Sequence, residues 1–329
     1  MSTMSTASIL ARYTLRAMEK IAPLRLAEKW DNVGLLLESP VARPEANRVL
    51  LTIDLTPSVL EEALHPSTAL VISYHPPIFK PLSSFTLATS LQASLLKLAA
   101  AGVSVYSPHT ALDSVRGGVN DFLASGLVDI EASTVGKTVH DIERAGEVKF
   151  LSGTIKEEDE GGLGRLVVLH RETAIEVVVE RIKDHLGLSC VDLARPLVPR
   201  QVRTIAICAG SGGSVLAGVN ADVYFTGEMA HHEVLAAISA GRYVILCGHT
   251  NTERGYLPVL ASKLRAVLAE YARPTSTAMS LGDHDGDGGP NMQQNSEVQG
   301  LSLMEKERRV LSCAEVYVSQ TDRHPLDRV

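Results

Sequence analysis

The sequence repeats one alternation of elements in two separate stretches, and this alternation limits the folds that it can adopt. Short β-branched runs predict strands at residues 48–54, 69–74, 103–107, 202–208, 222–226 and 243–247. Apolar residues at helical spacing predict helices between them, at residues 57–64, 89–101, 214–218 and 232–240. Such alternation indicates βαβ units with largely parallel strands. The sequence therefore predicts an α/β protein with two related halves.

The remaining segments divide the chain into four parts. Two further strands, at residues 151–155 and 165–169, and helices at residues 174–186 and 255–271 are predicted around the second stretch. The predicted parts are a first α/β half at residues 1–125, a second half at 126–271, a poorly ordered linker at 272–311 and a C-terminal strand within 312–329.

The predicted linker has a composition that cannot support a core. Residues 274–300 are rich in Gly, Ser, Asp, Asn and Gln, so ordering them would bury too little apolar surface. Residues 283–288 match the first half of a calcium-binding EF-hand loop, but Gln294 stands where that loop needs a bidentate Glu. Beyond the linker, residues 312–319 predict one strand. It must join an existing sheet because it is too short to fold alone.

Composition and charge exclude some classes of protein. The 329 residues are 45% hydrophobic and 21% charged, which is ordinary for a globular protein. The formal net charge of −7 argues against a broad basic face for nucleic acid, and no apolar run approaches the ~20 residues of a membrane span. Cys208 and Cys247 lie in predicted buried strands without C-x-x-C spacing, which indicates reduced thiols in a cytoplasmic protein.

The N-terminal segment leaves a second compartment open. Arg12 and Arg16 occur among Ser and Thr residues with no acidic residue before Glu19, as in a mitochondrial transit peptide. The apolar residues of the same segment recur on one face and favour an amphipathic first helix instead. We predict the helix and the cytoplasm, with the mitochondrion as the alternative.

Histidine follows three of the apolar runs. The three segments are residues 72–77 (ISYHPP), 106–113 (YSPHTALD) and 246–253 (LCGHTNTE). In open α/β sheets, ligands bind where the strands end. Imidazole and carboxylate groups suit Zn, Fe, Ni or Mn. The recurrence in both halves predicts a metal site that is assembled from separate strand ends.

Each candidate residue also has an ordinary structural explanation. Glu253 could form a capping box with Thr250, and Asp113 could cap a helix near Val119. His75 could be a strand-end histidine that is hydrogen-bonded to a neighbour. His231 and His232 could orient ligands or merely begin a helix.

The glycine-rich turn at residues 209–214 (AGSGGS) has two explanations. Glycines between a strand and a helix allow an anion to approach the backbone closely. The spacing matches neither common nucleotide-binding pattern, and a tight structural turn explains it equally well.

Several long motifs, in one order, resemble the Ngg1-interacting-factor-three-like family, whose members are also described as GTP cyclohydrolase I type 2 homologues. The motifs are residues 27–35 (AEKWDNVGL), 74–79 (YHPPIF), 109–113 (HTALD), 208–214 (CAGSGGS), 226–228 (TGE), 248–254 (GHTNTER) and 318–326 (VSQTDRHPL). The resemblance implies interlocked α/β halves with mixed sheets, a two-metal site between them and a toroid of six subunits.

The same resemblance implies roles for individual residues. The implied metal ligands are His75, Asp113, His249 and Glu253. Tyr74 stands where bacterial members often have a second histidine, and a Tyr–His pair is similar to eukaryotic members. Tyr74 and His109 are expected to support the ligands or to add to them.

The sequence leaves two functions open. One is a metal-dependent hydrolase acting on a nucleotide-like or phosphoester substrate, with Glu228 or His232 transferring protons. The other is a metal-stabilised scaffold for protein partners, including transcriptional ones, which would allow a nuclear location. Two divalent ions, drawn from Zn, Fe, Mn or Ni, are expected in either case.

Overall fold

The computed structural model describes residues 5–41, 43–128, 147–151, 155–156, 161–274 and 304–326. These residues form an α/β protein with two mixed sheets, as the alternation of elements predicts.

The first sheet has five strands in the order β1-β4-β3-β2-β13. Its strands are β1 (Gly34–Leu37), β2 (Arg48–Thr52), β3 (Thr68–Ser73), β4 (Ser104–Ser107) and β13 (Glu315–Val318). The four strands other than β1 run parallel, and β1 pairs antiparallel with β4 at one edge. Every residue of the central strand β3 is buried, as expected when both faces of a parallel sheet are covered.

The second sheet has six strands in the order β5-β8-β10-β11-β12-β9, and a separate small ladder joins β6 to β7. Its strands are β5 (Glu147–Phe150), β8 (Arg165–Thr173), β9 (Asp192–Ala194), β10 (Val202–Ser211), β11 (Val223–Glu228) and β12 (Tyr243–Leu246). The small ladder consists of β6 (Ile155–Lys156) and β7 (Gly161–Gly162). The strands β10, β11 and β12 run parallel to one another. The pairs β5–β8, β8–β10 and β9–β12 are antiparallel.

Helices connect the strands and cover the sheets. They are Thr6–Ile21, Pro57–Ala63, Ser90–Ala100, Thr110–Ser114, Val119–Ser125, Ile175–Leu186, Gly213–Leu216, His231–Ser239, Asn251–Arg254, Leu257–Ala272 and residues 304–312. Among the described residues, no helix is both long and apolar enough to cross a bilayer. Cys208 and Cys247 are buried, and neither forms a disulfide within the described part of the chain.

The two halves interlock because the end of the chain returns to its beginning. The strand β13 pairs with β2 and so completes the first sheet. The helix Leu257–Ala272 follows the second sheet in sequence, yet it packs against the helix Thr6–Ile21 and against β13. The first half is therefore built from both ends of the chain.

Two segments depart from the expected elements. The predicted linker, residues 272–311, contains a helix from residue 304 onward, whose Val310 and Leu311 are buried and whose Glu307 accepts the hydroxyl of Tyr13 at 2.7 Å. Of the strand expected at residues 151–155, Ile155 lies in β6, residues 152–154 lie outside the described residues, and the strand β5 precedes this range at Glu147–Phe150. Residues 275–303, with the EF-hand-like segment, lie outside the described residues, and their assignment to a linker stays a prediction.

Candidate metal centre

Three of the four predicted ligands form one cluster. One ligand atom each from His75, His249 and Glu253 lies within 4.8 Å of the other two. His75 follows β3 of the first sheet, whereas His249 follows β12 of the second sheet and Glu253 lies in the helix Asn251–Arg254. Oε1 of Glu253 is 3.5 Å from Nε2 of His75 and 3.3 Å from Nε2 of His249. The cluster therefore joins strand ends from both halves.

Both imidazole rings are held from behind by a carboxylate. Nδ1 of His75 lies 2.9 Å from Oδ1 of Asp54, and Nδ1 of His249 lies 2.8 Å from Oε1 of Glu228. When Nδ1 donates its proton to a carboxylate, Nε2 can serve as a ligand, which is the usual support of histidine ligands in metal sites. Both rings thus point Nε2 toward Glu253.

The carboxylate of Glu253 is buried and incompletely satisfied. The residue is 2% exposed, and its Oε2 has no hydrogen-bond partner among the described residues. Thr250 has helical backbone angles and makes no side-chain cap, so the capping-box explanation for Glu253 is wrong. A buried carboxylate oxygen without a donor is costly, and a cation between the two imidazoles would satisfy it. The donor set therefore fits a divalent metal ion.

The glycine-rich turn leaves space beside these ligands. Gly210 has φ +63°, and a Cβ built on it would lie 2.7 Å from Oε1 of Glu253 and 2.9 Å from Nε2 of His249. Only glycine combines this backbone conformation with this clearance. Gly210 thus allows the backbone of the turn to pass close to the cluster.

Asp113 lines the same cavity without joining the three-residue cluster. Its Oδ1 accepts the hydroxyl of Tyr74 at 2.5 Å. The helix Val119–Ser125 begins after Gly118 without a side-chain cap, so the capping explanation for Asp113 is wrong. Burial raises the pKa of Asp113 to about 6, against the opposing effect of the Tyr74 hydrogen bond. Burial, followed by the charge of Asp113, raises the pKa of Tyr74 well above its ordinary value, so Tyr74 acts as the donor.

His109 adopts a strained backbone beside the cluster. It has φ 30° and is the one residue other than glycine with positive φ in the described part of the chain. Asp31 accepts from Nδ1 of His109 at 2.8 Å and from the hydroxyl and N–H of Thr110. The ring of His109 lies 5.3 Å from that of His75, centroid to centroid. Strain of this kind is concentrated at functional sites, where neighbouring bonds maintain it.

The charges of the cluster are strongly coupled. Although burial alone would lower both values, hydrogen bonds to Asp54 and Glu253 raise the pKa of His75 to about 10, and hydrogen bonds to Glu253 and Glu228 raise that of His249 to about 9. Burial opposes ionisation of Glu253, but the two histidines lower its pKa. Without a metal, two imidazolium groups thus face one carboxylate at neutral pH. A metal ion must displace their protons to bind.

The cluster lies in a cavity of about 580 Å³, large enough for a small molecule. Trp30 and Phe79 line its wall, 62% and 54% exposed, with their rings 6.0 Å apart. Glu228 is connected to the cavity by its hydrogen bond to His249, which lines the wall. His232 is exposed in the first turn of its helix, where its ring packs against His231, and it does not line the cavity.

Two supporting residues were missed by the sequence analysis, namely Asp54 and Asp31. Asp54 follows the strand β2, next to the strand β3 that ends before His75, so the rule used for the histidines could have found it. Asp31 lies inside the motif at residues 27–35, but its distance from His109 in sequence hides their contact.

The sequence is similar to that of known proteins over most of its length. Residues 10–280 match the family described as Duf34/NIF3 (NGG1p interacting factor 3). The protein NIF3 homolog of Schizosaccharomyces pombe is 42% identical over 285 residues, which cover 86% of this chain and 98% of that protein. The NGG1-interacting factor 3 of Saccharomyces cerevisiae is 38% identical over 258 residues, covering 74% and 86%.

A solved structure shows the same fold. A hypothetical protein from Staphylococcus aureus superposes with a TM-score of 0.66 at 21% identity, covering 100% of both chains. The match to the family covers most of the sequence and includes every residue of the candidate metal centre. The chain belongs to the DUF34/NIF3 family.

Proposed function

We propose that this protein binds divalent metal ions at the candidate metal centre and uses them to hydrolyse a nucleotide-like or phosphoester substrate. The observation that carries the proposal is the buried Oε2 of Glu253, which lacks a partner among the described residues. The other oxygen of the same carboxylate, Oε1, lies 3.5 and 3.3 Å from Nε2 of two imidazole rings, His75 and His249, whose Nδ1 atoms are both bonded to carboxylates. A bound cation would satisfy this set of donor atoms.

The proposed ligands are His75, His249 and Glu253, with Asp113 as a fourth that bridges when two ions are bound. A bound divalent ion supplies Lewis-acid chemistry and lowers the pKa of water to near 7. Asp54 and Glu228 hold the two rings in place. Tyr74 donates to Asp113 and thereby fixes the carboxylate that faces the cavity.

Proton transfer is assigned to Glu228 or His232 in this proposal. Glu228 is exposed and bonded to His249, so it can exchange protons with solvent at the edge of the site. His232 is exposed in the first turn of the helix that follows β11. A conformational change on substrate binding would be needed to bring its side chain to the cavity.

A second function, a metal-stabilised scaffold for protein partners, is favoured by two observations. The relative from Saccharomyces cerevisiae is named for its interaction with NGG1. Leu197 and Val198 are also 98% and 74% exposed, which suits an interface. The toroid of six subunits and the cytoplasmic location, with mitochondrial or nuclear alternatives, belong to the proposal in either form.

One assay separates the two functions. Nucleotides and phosphodiesters are incubated with protein loaded with Mn, Zn, Fe or Ni, beside an Asp113→Asn variant. Metal-dependent turnover that the variant lacks supports the hydrolase. Absence of turnover with every metal, in protein that retains its metal and its oligomeric mass, supports the scaffold.

A further inference from the structure

Asp322 lies near the C-terminus, but its carboxylate is buried between the two halves. Only 1% of its side chain is exposed. Its Oδ2 accepts the backbone N–H of Ile53 at 2.9 Å, and its Oδ1 accepts Nη2 of Arg254 at 3.1 Å. Ile53 belongs to the first half and Arg254 to the second. One carboxylate therefore bonds to both.

The partner of Asp322 in the first half, Ile53, lies next to Asp54, which holds the ring of His75. The carbonyl of Ile53 accepts the backbone N–H of His75 at 3.0 Å. The next residue, Asp54, holds the ring of His75 through Nδ1. Asp322 thus fixes the backbone that positions both the main chain and the ring of this ligand.

The partner of Asp322 in the second half, Arg254, lies close in sequence to the other two ligands, His249 and Glu253. Arg254 follows Glu253, and its Nη1 donates to the hydroxyl of Thr250 at 3.1 Å. Thr250 follows His249, and its hydroxyl also lies 2.8 Å from Nδ1 of His324. The segment with Asp322 and His324 therefore contacts the turn that carries His249 and Glu253.

The C-terminal segment is attached to the first half at other points as well. The N–H of Ser319 donates to the carbonyl of Leu51. Glu62 accepts bonds from the hydroxyls of Ser319 and Thr321 and from the N–H of Gln320. Ser319 also accepts the backbone N–H of Asp322 at 3.1 Å, but the two carboxylate bonds of Asp322 do not involve Glu62. Removing Glu62 therefore tests attachment of the segment separately from the bonds that Asp322 makes beside the ligands.

We propose that Asp322 is a positioning residue of the metal centre, which sets the separation between His75 and the pair His249 and Glu253. The inference rests on the proposed metal function. The ligands come from two halves, and a metal site tolerates little displacement of its donors. A buried charge bonded to both halves next to those ligands meets this need. Partners behind metal ligands typically contribute roughly 10–100-fold to affinity.

The test compares Asp322→Ala with Glu62→Ala, the matched control that loosens the same segment away from the ligands. Zn²⁺ affinity is measured by competition with a chromophoric chelator, on full-length protein stripped of metal. The temperature is kept where circular dichroism shows each variant to be folded. Asp322→Ala should weaken Zn²⁺ binding at least tenfold, whereas Glu62→Ala should lower the melting temperature and leave the affinity unchanged.

Two further variants keep the test decisive if Asp322→Ala does not fold. Asp322→Asn retains an acceptor for Ile53 and removes the charge pair. Arg254→Gln leaves the bond to Ile53 intact and removes the charge pair together with the bond from Arg254 to Thr250. Both should weaken Zn²⁺ binding while the fold persists. Wild-type affinity in the Asp322 variants, or an equal loss in Glu62→Ala, overturns the inference. Failure of the wild-type protein to bind Zn²⁺ would instead overturn the proposed function.

Discussion

Oε1 of Glu253 lies 3.5 Å from Nε2 of His75, although the two residues come from different halves of the chain. The contact places a buried carboxylate against an imidazole ring whose other nitrogen is already bonded to Asp54. A second ring, that of His249, approaches the same oxygen. The interlocked halves thus create at their junction a donor set that neither half contains alone.

Metal binding should release a proton from each of these two rings. In the metal-free protein the pKa values of His75 and His249 are raised to about 10 and about 9, so both rings are charged at pH 7. The apparent affinity should therefore rise as the pH increases through 9 and 10. Calorimetry in buffers of different ionisation enthalpy counts the protons. Unchanged heats across buffers would contradict the assignment, and an exposed-site control, His170→Ala, should behave as wild type.

The same shifts determine how the metal-free protein responds to pH. The folded-state pKa of each ring lies above its ordinary value of about 6.5. Their contribution to stability is therefore complete below about pH 6.5 and is lost as the pH rises through 9 and 10. Added metal should remove this alkaline loss.

Tyr74→Phe should shift metal binding to higher pH. The hydroxyl of Tyr74 donates to Asp113 and lowers the pKa of that carboxyl, which burial otherwise raises to about 6. Without the bond, more Asp113 is protonated near pH 6. Affinity should then fall more at pH 6 than at pH 8. Tyr224→Phe, which removes a hydroxyl bonded to the carbonyl of Val219, should leave both affinities at the wild-type value.

Asp121→Ala should destabilise the protein by about 3–5 kcal/mol. Arg165 is 2% exposed and donates to both carboxylate oxygens of Asp121. Removing the acid leaves a buried guanidinium without a counter-charge. The combined variant Asp121→Ala/Arg165→Met should lose less than the sum of the single changes in urea unfolding. Additive losses would show that the pair is not coupled. Arg195→Met, at an exposed ion pair with Glu176, is the control with little expected change.

A chain that ends at Leu311 should aggregate. It lacks β13 and so exposes the edge of β2, whose residues Val49, Leu50 and Leu51 are buried in the complete fold. Static light scattering after purification measures the effect. A monodisperse truncated protein with the melting temperature of the full chain would show that β13 is dispensable.

The sequence predicted the parts of the site that follow a local rule. Strand ends bearing His75 and His249 are visible as apolar runs that stop at a histidine, and the structure brings both together. Local rules also misled, because the spacing of Thr250 and Glu253 matches a capping box that does not form. Thr250 has helical backbone angles, and its hydroxyl is hydrogen-bonded to Arg254 and His324 instead.

Contacts that depend on topology could not be predicted. Asp322 meets Ile53 and Arg254 only because β13 returns to the first sheet, and no pattern near Asp322 encodes those partners. The helix at residues 304–312 was also missed. Its sequence is mostly charged, and only Val310 and Leu311 are buried by residues far away in the chain.

The metal content of protein purified without an affinity tag decides whether the candidate centre binds divalent ions. Elemental analysis of the wild-type protein is compared with that of a His249→Ala/Glu253→Ala variant, both confirmed as folded by circular dichroism. We expect about one to two divalent ions per chain in the wild type, as for two-metal sites, and loss of the metal in the variant. A wild-type content near zero, or the same content in both proteins, would contradict it.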